Sequence, residues 1–233
     1  MIAGAGPAGR GGGVASTPDP ERVRSNLARI RSEIARAAEA SAHGRSDVQI
    51  LAATKYVSAA GLPALADGGV TLVGENRAQD MAEKFAAHGE LFDWDFIGRL
   101  QSRRVRSIVP HTRLIHSLAS ESALRELERN SELAQPGLRV LLEVDVAGDE
   151  AKAGIRPDEI GGYLQRSPFA VAGLMTMPPQ TGDPETNRRW FAALRELAGE
   201  HGLEHLSMGT SQDYLVAVGE GASIVRIGTS LYD

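Results

Sequence analysis

Two rhythms of apolar residues alternate along the chain. Val23, Leu27, Ile30 and Ile34 recur at helical spacing among charges, which predicts an amphipathic helix over residues 20–42. Beyond His43-Gly44 the period shortens. Strand-like apolar runs occupy residues 48–56, 71–75, 94–97, 114–118, 139–146, 171–177, 205–208 and 223–227. Helical patterns fill the intervals at 59–66, 77–87, 102–109, 121–133, 157–165, 184–200 and 212–218. Strands that alternate with helices must run parallel, because each crossover returns the chain to the same edge. An open doubly wound sheet shares this alternation. Eight repeats within about 190 residues favour a closed (β/α)8 barrel over residues 21–233, with an extra helix at its N-terminal side.

Residues 1–20 fit neither rhythm. They hold six glycines and three prolines and no apolar stretch, and we read them as a disordered tail. Gly4, Gly6 and Gly9 spell a G-x-G-x-x-G, but only three residues precede it. The dinucleotide motif needs a strand there, so we reject a nucleotide site.

Composition narrows the function classes. The 233 residues carry 25 basic and 30 acidic side chains, a net charge of −5, which disfavours a broad nucleic-acid surface. No run of about 18 apolar residues is present to span a membrane. Cysteine is absent, which removes disulfides, thiolate nucleophiles and cysteine metal sites and fits a reducing cytoplasm. His43, His88, His111, His201 and His205 lack ligand spacing, so no metal is expected.

A barrel directs attention to the C-terminal ends of its strands. Read in order these are Lys55; Glu75 and Asn76; Gly98; His116 and Ser117; Asp145; Met175 and Thr176; Ser207, Gly209 and Ser211; and Arg226, Gly228 and Thr229. Lys55 closes the run Ile50-Leu51-Ala52-Ala53-Thr54. Partial desolvation there would favour its neutral, nucleophilic amine, whereas a lysine that snorkels to water would be inert. Tyr56 follows it, and strand alternation points that ring away from the pocket. The last two loops are rich in Ser, Gly and Thr, and barrels commonly bind phosphate at that point. Arg103, Arg104 and Arg106 read as a solvated helix face. Glu143 and Asp145 share one side of their strand and read as structural polar packing.

Five motifs then carry a family resemblance: Ala52-Ala53-Thr54-Lys55, Gly74-Glu75-Asn76, Phe96-Ile97-Gly98-Arg99-Leu100-Gln101-Ser102, Gly173-Leu174-Met175, and the pair Leu206-Ser207-Met208-Gly209-Thr210-Ser211 with Val225-Arg226-Ile227-Gly228-Thr229. The chain resembles the pyridoxal 5′-phosphate homeostasis proteins, single-barrel relatives of the alanine racemase N-terminal domain. The resemblance implies that Lys55 forms an aldimine with pyridoxal 5′-phosphate, and that Ser211, Gly228 and Thr229 hold its phosphate. Arg226 would face the pyridine nitrogen. Asn76 and Met175 would line the ring pocket, with Ser207 and Met208 nearby. Ala119 replaces an acidic residue of the family, Arg103-Arg104 replaces an asparagine–lysine pair, and Tyr232-Asp233 replaces an aromatic–glycine end. The segment from Asp149 to Ile155 matches a family loop.

An arginine at the ring nitrogen cannot accept a proton, so it favours a weak electron sink. A racemase needs a base on each face of its substrate, and the related racemases take one from a second domain that is not found here. The expected role is therefore a cytoplasmic, monomeric carrier that supplies apo-enzymes, without strong turnover. The alternatives are an amino-acid racemase on the same fold and a lysine Schiff-base aldolase acting on a sugar phosphate.

Overall fold

The computed structural model describes residues 17–149, 153–179 and 181–232. The glycine-rich stretch with its G-x-G-x-x-G, Lys152 within the matched family loop, and Asp233 lie outside the described residues.

Eight strands close a parallel barrel in simple sequence order: β1 (Gln49–Ala53), β2 (Leu72–Glu75), β3 (Asp93–Phe96), β4 (Leu114–Leu118), β5 (Arg139–Glu143), β6 (Val171–Met175), β7 (His205–Thr210) and β8 (Ile224–Ile227). β8 pairs back onto β1, so no edge is left open. Three strands stop well short of the apolar runs, while β7 runs on to Thr210 rather than stopping at 208. β1 ends at Ala53 rather than at residue 56, β5 at Glu143 rather than 146, and β6 at Met175 rather than 177. In each case the residue after the strand still donates to the neighbouring strand, Thr54 to the Gly74 carbonyl, Val144 to Met175 and Thr176 to Ser207, before the run passes into the loop that leaves the barrel.

Seven helices follow the strands as the sequence predicts: α2 (Leu62–Asp67), α3 (Ala78–His88), α4 (Val105–Ile108), α5 (Glu121–Arg129), α6 (Ile160–Arg166), α7 (Arg188–Glu200) and α8 (Tyr214–Gly219). Among the described residues β8 is followed by a 3-10 turn, Thr229–Leu231. The place of an eighth outer helix is taken by α1 (Pro20–Glu39), which packs between α2 and α8 and against that turn. The N-terminal helix is thus part of the outer ring and closes it.

The reasons α1 forms are local. Asp19 caps it by accepting from the Glu21 N–H, Pro20 occupies the first turn, and Val23, Leu27, Ile30 and Ile34 form its buried face. Pro18 is buried too, so the packed structure reaches back into the segment expected to be tail. The main core lies between strands and helices, while Leu51, Leu72, Leu114, Leu141, Met175 and Ile224 fill the barrel interior.

Candidate functional site

The mouth at the C-terminal ends of the strands holds a cleft of about 320 Å³, within the size range of small-ligand sites. Lys55, Asn76, Ser211, Arg226, Gly228 and Thr229 all line it. Six of the nine residues expected at a cofactor site are therefore brought to one cavity. The other three are not among its lining. Neighbouring residues in a parallel ladder face the same side. The pairings Glu143 with Met175, and Met175 with Ser207, put these three inside the barrel beneath the cleft. Met208 alternates outward and is buried in the layer under the helices, so its side chain does not join the pocket. Strand alternation separates Ser207 from Met208, and a motif read as a string does not express that.

Lys55 corrects a second expectation. It is exposed rather than partly desolvated. β1 has already ended, Thr54 turns inward, and the Val57 N–H closes a tight turn on the Thr54 carbonyl at 2.9 Å. Lys55 and Tyr56 both project at the tip of that turn. Alternation no longer applies there, so Tyr56 also lines the cleft; it is 61% exposed and its ring lies 4.7 Å from Lys55 Nζ. The expectation that Tyr56 points away from the pocket does not hold.

The turn is pinned from below. Lys84 of α3 donates to the Thr54 carbonyl at 2.9 Å and pairs with Glu75, which also accepts from the Thr54 hydroxyl. Both partners of this ion pair are buried, and the second Glu75 oxygen has no hydrogen-bond partner. A pair so enclosed holds geometry at a high desolvation cost.

Across the cleft, Ser211 Oγ accepts from the Gly228 N–H at 3.1 Å and from the Ser230 hydroxyl at 3.0 Å. Its own proton is left to donate into the cleft, beside the exposed Thr229. Gly209 has φ +89, and a Cβ there would stand 2.6 Å from Ala217 Cβ, so only glycine lets β7 turn into α8 so closely. Asp213 stands next to this donor set, with its carboxylate engaged by Thr210 N–H, Thr210 Oγ1 and the Asn187 amide. Small residues and unspent donors make this side suited to an anionic group.

Arg226 forms the floor. It is 6% exposed and gives two hydrogen bonds to Ser207, to the carbonyl at 2.9 Å and to Oγ at 2.6 Å, and one to the Thr176 carbonyl at 3.0 Å. Burial lowers its pKa to about 10, with Glu143 and Asp213 opposing the shift, and it stays cationic at neutral pH. Burial raises the Glu143 carboxyl, while Arg226 and Arg99 pull it down. Glu143 and Arg226 thus act on each other through charge.

Beneath Arg226 runs a polar chain that the motifs did not reveal. His116 Nδ1 meets Ser207 Oγ at 2.8 Å and its Nε2 meets Asp95 Oδ2 at 3.0 Å. Arg113 grips both Asp95 oxygens, at 3.0 and 2.8 Å. A carboxylate in the middle of the apolar run at 94–97 was the available signal for this network.

A family model described as the alanine racemase N-terminal domain matches residues 19–233. The curated relatives include a pyridoxal phosphate homeostasis protein of Aquifex aeolicus, 38% identical over 217 residues that cover 88% of this chain and 95% of the relative. A protein of the same name from Pseudomonas aeruginosa is 34% identical, covering 90% and 94%. Among solved structures, PipY of Synechococcus elongatus, crystallised with pyridoxal phosphate bound, superposes with a TM-score of 0.75 at 30% identity, over 91% of this chain and 100% of that one. Alanine racemase from Bartonella henselae, 13% identical with a TM-score of 0.67 over 59% of its length, shares the fold. The fold and mouth define a barrel of the alanine racemase N-terminal class. Within it, the chain belongs to the pyridoxal phosphate homeostasis protein family.

Proposed function

We propose that this protein binds pyridoxal 5′-phosphate in the mouth of its barrel, through a Schiff base on Lys55, and serves as an intracellular store and donor of the cofactor. One observation carries the reading: a primary amine, the hydroxyl-bearing residues Ser211 and Thr229, and a buried arginine line a single cleft. Lys55 would condense with the cofactor aldehyde and release water. Ser211, Gly228 and Thr229 would hold the phosphate. Arg226 would face the pyridine nitrogen, with Asn76 beside the ring. Ser207 and Met175 would act from below as support. The names of the relatives and the cofactor bound to PipY support the same assignment.

A carrier rather than a racemase is favoured by the supply of bases. Tyr56 lies in the cleft, but it stacks on Lys55 and shares its side. Tyr214 donates to Glu33, and its pKa is raised to about 12, first by burial. Tyr232 donates to the Ala53 carbonyl at 3.2 Å, and Tyr163 is buried on α6. Among the described residues no tyrosine faces Lys55 from across the cleft. A missing positioned base costs about 10²–10⁴-fold in rate. We place the protein in the cytoplasm as a monomer that supplies apo-enzymes.

The test pairs two assays on cofactor-loaded protein. Transfer of cofactor to an apo-enzyme is expected, together with slow α-proton exchange and no inversion across a panel of amino acids. Sustained racemisation at several turnovers per second would replace this reading with the racemase one.

A further inference from the structure

The barrel interior contains more polar machinery than a hydrophobic core requires. Arg113, Asp95, His116, Ser207 and Arg226 form one continuous chain of hydrogen bonds, drawn from residue 113 just before β4 and from β3, β4, β7 and β8. It links the N-terminal end of the barrel to the floor of the cleft. Asp95 and His116 have no solvent exposure.

Donor and acceptor chemistry gives this chain one direction. Asp95, gripped by Arg113 through both oxygens, is an ionised acceptor, so the His116 nitrogen facing it must carry the proton. Arg226 has only donors, so Ser207 Oγ must accept from it. The Ser207 hydroxyl proton then goes to His116 Nδ1, which has to be bare. Every group finds its partner only when His116 is neutral with the proton on Nε2. Protonating Nδ1 would place a second donor on Ser207 Oγ and expel the serine proton from the network. It would also set an imidazolium one hydroxyl away from the Arg226 cation, with Arg113 close behind Asp95.

We infer that His116 is a positioning residue: anchored on Asp95, it orients the Ser207 hydroxyl so that Ser207 holds the Arg226 guanidinium at the floor of the cleft. His116 does not line the cleft, and it acts only through Ser207. Without it, Ser207 is free to turn. Arg226 keeps its bonds to the carbonyls of Ser207 and Thr176 but loses the side-chain anchor that fixes its plane. Burial also lowers the His116 pKa, with Arg226 and Arg113 adding to the shift and Asp95 opposing it. The charged groups that face this unit are Asp95 from β3, Arg113 ahead of β4 and Arg226 from β8, while Glu143 of β5 and Asp213 ahead of α8 act on Arg226. In terms of ligand binding the inference rests on the proposed reading, since it is through Arg226 that the network would reach the cofactor ring.

Two measurements test it. In cofactor-free protein, nitrogen–proton correlation spectra of the histidine rings should show His116 as the neutral Nε2–H form from pH 7.5 down to about 5.5. A cationic ring or an Nδ1–H form in that range overturns the inference whether or not any cofactor binds. With pyridoxal 5′-phosphate added, His116→Leu should shift the visible band and weaken retention roughly 5- to 10-fold, the value of about one hydrogen bond. His116→Gln, which can accept from Ser207 and donate to Asp95, should restore both. Retention and spectrum unchanged in His116→Leu, or Gln as damaging as Leu, overturns it. Should His116→Leu fail to fold, Ser207→Ala removes the same anchor and must give the same shift. A wild-type protein that takes up no cofactor refutes the proposed function, and the ring spectra still decide the role of His116.

Discussion

Lys55 stands in solvent at the tip of a turn, so burial is not what directs its amine to an aldehyde. In the proposed reading the donors across the cleft would supply that direction by holding the phosphate, since a tethered aldehyde reacts as if at high local concentration. Retention should therefore depend more on the donors than on the lysine's surroundings. Ser211→Ala and Thr229→Val are each expected to weaken binding of pyridoxal 5′-phosphate about 10- to 150-fold, the value of a charge-assisted hydrogen bond. Arg226→Ala should chiefly move the visible band, and equilibrium dialysis with absorbance separates the two effects. The six expected residues that line the cleft were legible because their types and order are those of the family. Met208 and Tyr56 were misjudged for one reason. Adjacency in a motif does not say which way a side chain points: alternation within β7 turns Met208 away from its neighbour Ser207, and the end of β1 before Lys55 frees Tyr56 from alternation.

At the scale of elements, the turn after β1 is held by the Lys84–Glu75 pair, both buried and both bonded to Thr54. Lys84→Met would strand the Glu75 charge and should cost about 3–5 kcal/mol in denaturant unfolding. A loss under 1 kcal/mol would show that the pair does not pin this turn. α1 offers a milder comparison, since Asp19→Ala removes one cap and should cost about 1 kcal/mol. Helical periodicity located α1 well, but its place in the ring was not legible. That follows from where β8 ends, and the closing 3-10 turn has no periodic signal. The buried pair was equally hidden: Lys84 and Glu75 sit on different elements, and only the barrel register brings them together.

Across the whole molecule, buried histidines set the response to acid. His116 is held neutral by burial, so below the usual value of 6.5 the unfolded chain takes up a proton that the folded one does not. Stability therefore falls as the pH drops below that value, and His116 contributes to the loss. His111 and His205, also lowered by burial, add to this fall, while Glu143, raised by burial, opposes it. Urea unfolding at pH 7.5 and 5.5 should show His116→Gln losing less stability than wild type. Equal losses would place His116 outside the titration. The barrel itself was the most legible feature of all, because eight strand–helix repeats in so short a length leave few alternatives. The polar chain through its interior was not, since it depends on which strand residues face inward at each level.

The central claim is that the cleft binds its cofactor through one lysine. Purified protein incubated with pyridoxal 5′-phosphate, reduced with borohydride and mapped by peptide mass spectrometry tests it directly. The account predicts loss of a visible imine band and a single phosphopyridoxyl adduct, on Lys55. An adduct on Lys84 or Lys152 instead, or no adduct at all, would contradict it.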